Sequence, residues 1–84
     1  MKYKIGDRVT TKVGRTPKAG RYSEEYFSQI KHYNSRPPMT VTKPLSKYFT
    51  SEGLVYCTYD TPYINTRGKS IKRCHYFEGD ITKL

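Results

Sequence analysis

Eight cations stand in two short stretches of this 84-residue chain: Lys12, Arg15, Lys18 and Arg21 in the first, Arg67, Lys69, Lys72 and Arg73 in the second. Ammonium and guanidinium groups at this density neutralise phosphates and release the counterions condensed on a nucleic-acid backbone. Tyr22 and Tyr63 lie beside the clusters. A phenol ring stacks on an unpaired base whatever the base's identity. These ten residues are the candidate nucleic-acid-binding site. The whole chain points the same way, because sixteen Lys/Arg against seven Asp/Glu leave a formal charge of +9, with nine tyrosines and no tryptophan. That is more positive charge than solubility needs, so the expected partner is DNA or RNA, held through its phosphate backbone. No segment is marked as a groove-reading helix, so sequence specificity is not expected.

A second class of function fits the same charge. A small protein-interaction module would use a positive face to steer an acidic protein surface. A small, charged, signal-free chain of this kind suits a phage or mobile-element factor that binds and modulates a host protein.

Other chemistries are less well supplied. Cys57, Cys74, His32 and His75 suggest zinc by type but not by spacing, because there is no Cys-x-x-Cys pair. Cys74 and His75 are adjacent, and on a strand adjacent side chains point to opposite faces. The same geometry removes a nucleophile–base pair. Both cysteines read as buried thiols, with no metal and no cofactor. Glu24, Glu25, Asp60, Glu78 and Asp80 are scattered over turns and helix ends, and no glycine-rich loop has phosphate-loop spacing. The chain is not expected to be an enzyme or to take a small-molecule substrate.

The elements that must position the cations are short. Gly6-Asp7 marks a turn, and Arg8 to Val13 reads as a strand. Gly14 to Tyr22, with Pro17 and Gly20, reads as a basic loop. Ser23 caps a helix over about residues 23–33, with Glu24 and Glu25 at its positive end. Tyr26, Phe27, Ile30 and Tyr33 then share one face, expected to pack on the body of the protein, and Pro37-Pro38 follow the helix. Met39 to Lys43 alternates as a strand ended by Pro44, and Leu45 to Gly53, with Tyr48 and Phe49, is a connection. Leu54 to Tyr59 is the clearest strand, with Val55, Cys57 and Tyr59 on one face. Asp60 to Lys69 reads as a second long basic loop, Ser70 to Phe77 as a strand, and Glu78-Gly79-Asp80 as a turn before a last short element. The fold class is therefore mainly β: a small antiparallel barrel of four to five strands with one short inserted α-helix. Two long loops projecting from such a barrel would form one basic surface.

Ile5-Gly6-Asp7-Arg8-Val9, Pro38-Met39-Thr40-Val41, Val55-Tyr56-Cys57-Thr58-Tyr59, Phe77 and Leu84 follow one another in an order that resembles the YodC-like family of small bacterial proteins. The resemblance implies an SH3-like barrel and leaves function open. Tyr59-Asp60 stands where that family tends to have Trp-Phe, and residues 14–36 form a longer, helical insertion. The chain thus reads as a single SH3-like domain over residues 1–84. Its small size predicts a modest core. No run approaches the roughly 20 apolar residues of a membrane span, and no membrane partner is expected. Met1 to Gly6 lacks the apolar stretch of a secretory signal, so a cytoplasmic, reducing location is expected.

Overall fold

Period-two alternation builds the central strand. In the computed structural model, which describes residues 3–12, 14–43 and 53–84, Val55, Cys57 and Tyr59 are buried and Leu54, Tyr56 and Thr58 are half-buried opposite them. Strand β3 (Leu54–Ile64) pairs antiparallel with β2 (Met39–Val41), matching Met39 to Tyr59 and Val41 to Cys57. Its other side pairs with β4 (Ser70–Phe77), where Cys57 faces Cys74 and Val55 faces Tyr76. β1 (Arg8–Thr11) lies between β2 and β5 (Ile81–Lys83), giving a five-stranded antiparallel sheet in the order β4-β3-β2-β1-β5. All three residues of β5 pair with β1, and among the described residues no ladder joins β5 to β4. The sheet is mainly what the sequence pattern predicted, but it is not closed.

Val9, Met39, Val41, Val55, Cys57, Tyr59 and Ile81 make the core together with Tyr3, whose hydroxyl donates to the Ile81 carbonyl at 3.0 Å. Tyr63, Ile71, Cys74 and Tyr76 pack around its margin, only partly covered. The Gly6-Asp7 turn is present, with Gly6 N–H donating to the Val41 carbonyl at 2.8 Å. β1 ends at Thr11 and β2 at Val41, both earlier than expected. The connection carrying Tyr48 and Phe49 lies outside the described residues, apart from Gly53. Among the described residues no helix is long and apolar enough to cross a membrane.

Two expectations need correcting. Asp60 to Lys69 is not one long loop, because β3 continues to Ile64 and only Asn65–Lys69 turns. Pro62 disguised this stretch, since proline cannot donate to a ladder. The strand tolerates it because the three-residue β2 ends opposite Tyr59, and the β3–β4 register shifts between Thr58 and Tyr63.

Helix α1 (Glu24–Asn34) has the expected cap, Ser23 Oγ accepting from Tyr26 N–H at 3.2 Å. Its packing differs from expectation. Tyr33 alone is buried, while Phe27 is 43% exposed. The side meeting the sheet is instead the polar line of Glu25, Ser28 and His32, through hydroxyl and ring contacts to Tyr59 and Tyr63. Polar tyrosine tips in the sheet explain the switch, because they supply partners that an apolar stripe does not need. Tyr33 fixes the helix C-terminal end: its carbonyl accepts from Thr11 Oγ1 at 2.5 Å, and its hydroxyl donates to the Asp80 carbonyl at 3.0 Å.

Candidate nucleic-acid interface

The first basic loop folds back along α1. Arg15 and Asn34 exchange two hydrogen bonds, backbone N–H to Oδ1 at 3.0 Å and Nδ2–H to backbone carbonyl at 2.9 Å. Lys18 N–H donates to the Tyr26 hydroxyl at 2.9 Å, so the loop covers the flank of the helix that carries Tyr26. Arg15 itself is engaged: its guanidinium pairs with Asp80 at 2.9 Å and lies 4.3 Å from the centre of the Tyr33 ring. Lys12 holds the base of the loop, its N–H donating to the Asp80 carbonyl at 3.0 Å with the side chain exposed.

Tyr22 sits at the other end of this loop. Its ring stacks on Tyr26 with centroids 4.3 Å apart, and Phe27 meets both rings edge-on at 6.5 and 5.3 Å. Gly20, at φ +135°, lets the backbone pass close beneath, since a β-carbon there would lie 3.3 Å from the Tyr22 ring. Tyr22 and Phe27 remain 42% and 43% exposed, an aromatic pile with Arg21 exposed next to it in sequence.

The second cluster is split between a turn and a strand. Asn65 Oδ1 accepts from the N–H groups of Arg67 and Lys69, both at 2.9 Å, while Gly68 at φ +78° reverses the chain. The turn leans on the helix through Glu25, which accepts from Thr66 N–H at 3.4 Å and from the Tyr63 hydroxyl at 2.6 Å. Lys72 and Arg73 lie further on, exposed on β4, with Arg73 opposite Thr58. Thus α1 stands between the two clusters and contacts both: the first loop through Tyr26 and Asn34, the second turn through Glu25.

A cavity of about 630 Å³ opens between α1 and the β3–β4 pair. Arg15 from the first loop and Arg73 from β4 both line it, with Tyr33, Tyr59, Tyr63 and Tyr76 supplying aromatic walls. A second cavity of about 440 Å³ adjoins it, sharing Arg15 and Gln29 and adding Lys18, Tyr26 and Ile30. Of the ten residues picked from sequence, Arg15, Tyr63 and Arg73 meet at the first cavity and Arg15 and Lys18 at the second. Lys12, Arg21, Tyr22, Arg67, Lys69 and Lys72 are not among the residues lining either.

Tyr63 is placed differently from the freely stacking ring that was expected. One face stacks on His32 at 4.5 Å, and its hydroxyl is shared with Glu25 and Ser28. Burial and then the Glu25 bond raise its pKa. Tyr76 is pushed up to about 12, chiefly by burial, and its hydroxyl lies 2.7 Å from that of Tyr59. These phenols stay neutral at physiological pH.

His32, weighed in the sequence only as a zinc ligand by residue type, was not picked for the candidate site. Its ring stacks on Tyr63 and meets Tyr59 edge-on at 4.8 Å, yet its buried Nε2 has no hydrogen-bond partner among the described residues. Burial lowers its pKa, so the imidazole is neutral. The only sequence signal was its place on one helical side with Glu25 and Ser28, a polar line that resembles any solvated face.

Cys57 and Cys74 are free thiols on facing strand positions. Cys74 lies 3.6 Å from the Met39 sulfur, and its hydrogen bond with Cys57, followed by burial, pushes its pKa up. A thiol held protonated is a poor nucleophile. Among the described residues no group of three His, Cys, Asp or Glu side chains is placed to hold a metal ion. No family model matches the chain, and neither does any curated protein or solved structure.

Proposed function

We propose that this chain is a non-enzymatic nucleic-acid-binding module on an SH3-like scaffold. The scaffold reading is supported by the strand order β4-β3-β2-β1-β5 and by the 3-10 turn (Glu78–Asp80) that carries the chain from β4 to β5. The observation carrying the functional reading is the meeting of two basic segments, 58 residues apart, at one aromatic-walled cavity through Arg15 and Arg73. Lys18 extends that surface into the adjoining cavity, and Arg21, Arg67, Lys69 and Lys72 add exposed charge around it. Tyr22 and Phe27 offer open ring faces at its edge.

Salt dependence is the test. Engagement of about four phosphates on a single strand gives a slope of about −3 in log K against log salt, a loss of roughly 50-fold between 50 and 200 mM. Fluorescence anisotropy with labelled DNA and RNA oligonucleotides measures it. No binding at micromolar protein in either salt rejects the reading.

The exposed Tyr22–Phe27 pile also favours a second reading, an aromatic anchor for an acidic protein partner. Nuclease treatment of a tagged pull-down separates the two, because it strips a nucleic-acid complex and leaves a direct protein complex intact.

A further inference from the structure

We propose that the cavity between α1 and the β3–β4 pair captures one unpaired nucleobase, with an adjoining phosphate on Arg73. This rests on the nucleic-acid reading and goes beyond it by naming the part of the ligand that enters the fold. The cavity's volume, about 630 Å³, falls in the range of small-molecule sites, roughly 300–1,000 Å³. Its lining includes the aromatic side chains of Tyr59, Tyr63 and His32 together with the apolar Ile71. A flat, weakly polar group fills such a space better than a branched aliphatic one. The orphaned Nε2 of His32 is shielded from solvent, so it reaches the edge of a base only when the imidazole turns toward the cavity, where a neutral nitrogen donates or accepts according to tautomer. The edge of a base carries both donors and acceptors and can satisfy it. Arg73, exposed on β4 and on the same lining, supplies a cation for the phosphate that adjoins the base. In a duplex the base is stacked and paired and does not reach a recessed site, so the pocket selects single strands.

The test compares a labelled single-stranded oligonucleotide with the same strand in duplex form and with an abasic strand of equal length and charge. The expected result is about tenfold tighter binding of the base-bearing single strand than of the other two. His32→Phe keeps the ring and removes the nitrogen. It narrows that preference several-fold and leaves abasic-strand affinity unchanged, and circular dichroism confirms the fold of the variant. Ile71→Trp, which occupies the cavity, erases the preference. Equal binding of base-bearing and abasic strands with normal salt dependence overturns the pocket while the phosphate-binding reading stands. A base preference untouched by both variants also overturns it, placing the base on the Tyr22–Phe27 pile instead. No binding of any strand at low salt removes both proposals.

Discussion

Replacing His32 by Phe should make this protein more stable, an unusual outcome for a substitution in contact with the core. Phe preserves the two ring contacts, the 4.5 Å stack on Tyr63 and the 4.8 Å edge contact with Tyr59. It deletes the buried Nε2 that lacks a partner. An unsatisfied buried polar group costs about 1–3 kcal/mol. The His32 side chain is only partly covered, so the lower end applies and the expected gain is about 1 kcal/mol. For a domain of this size that is a rise of roughly 4–8 °C in Tm.

The pH dependence gives a second reading of the same group. Burial holds the folded pKa of His32 below its ordinary 6.5. As pH falls past about 6.5 the unfolded chain therefore binds the proton first, and stability is lost with falling pH. One proton limits the loss to about 1.4 kcal/mol per pH unit. Tyr59 and Tyr63, which face the imidazole, have raised pKa values and remain neutral throughout this window. Carboxylates titrate alike in both proteins and cancel in the difference. Urea unfolding of wild type and His32→Phe at pH 7.5 and 5.5 measures it: the variant's advantage should widen at the lower pH. A variant that is less stable at both pH values, with the same pH slope as wild type, would refute the orphaned-nitrogen argument.

Three further outcomes follow from the same contacts. Met39→Ala empties a fully buried position and should cost about 2–5 kcal/mol in urea unfolding, with a loss below about 1 kcal/mol contradicting the core assignment. Asp80→Ala releases the Arg15 guanidinium while keeping the backbone carbonyl that holds Lys12 and Tyr33, so single-strand affinity should rise a few-fold at low salt and the gain should fade at high salt; unchanged affinity in low salt would exclude Arg15 from the site. Iodoacetamide at neutral pH should leave both thiols of the native protein essentially unmodified, because Cys57 is buried and the half-buried Cys74 is held protonated, and mass spectrometry should find both alkylated in urea; rapid native labelling of Cys74 would contradict its being held as the thiol.

Local signals predicted local structure well. Alternation at Val55, Cys57 and Tyr59, the Gly6-Asp7 turn and the Ser23 cap each depend on a few neighbouring residues, and each stands where the pattern put it. Failures came where a distant partner decided. Pro62 looks like a loop residue until the short β2 leaves that side of β3 without a ladder to disturb. Phe27 looks like a packing residue until Glu25, Ser28 and His32 take the sheet-facing side by meeting tyrosine hydroxyls and rings from β3. The positive charge of the candidate site was plain in composition. Its arrangement was not, because Arg15 and Arg73 come to line one cavity only after α1 has docked beside the β3–β4 pair.

That cavity gives a reason to look for a ligand beyond net charge. An 84-residue chain has a small core and little stability to spare. An imidazole nitrogen without a hydrogen-bond partner beside an open cleft lined by four tyrosines weakens it, and a single substitution that deletes the nitrogen is chemically simple. Local choices that oppose the fold are expected where a site needs them. Fully exposed lysines would attract a polyanion without any such defect. The combination expected of His32→Phe, a more stable protein that binds single strands less tightly, distinguishes a site from a packing fault: a fault repaired leaves binding unchanged, whereas a site repaired loses part of its preference for a base-bearing strand.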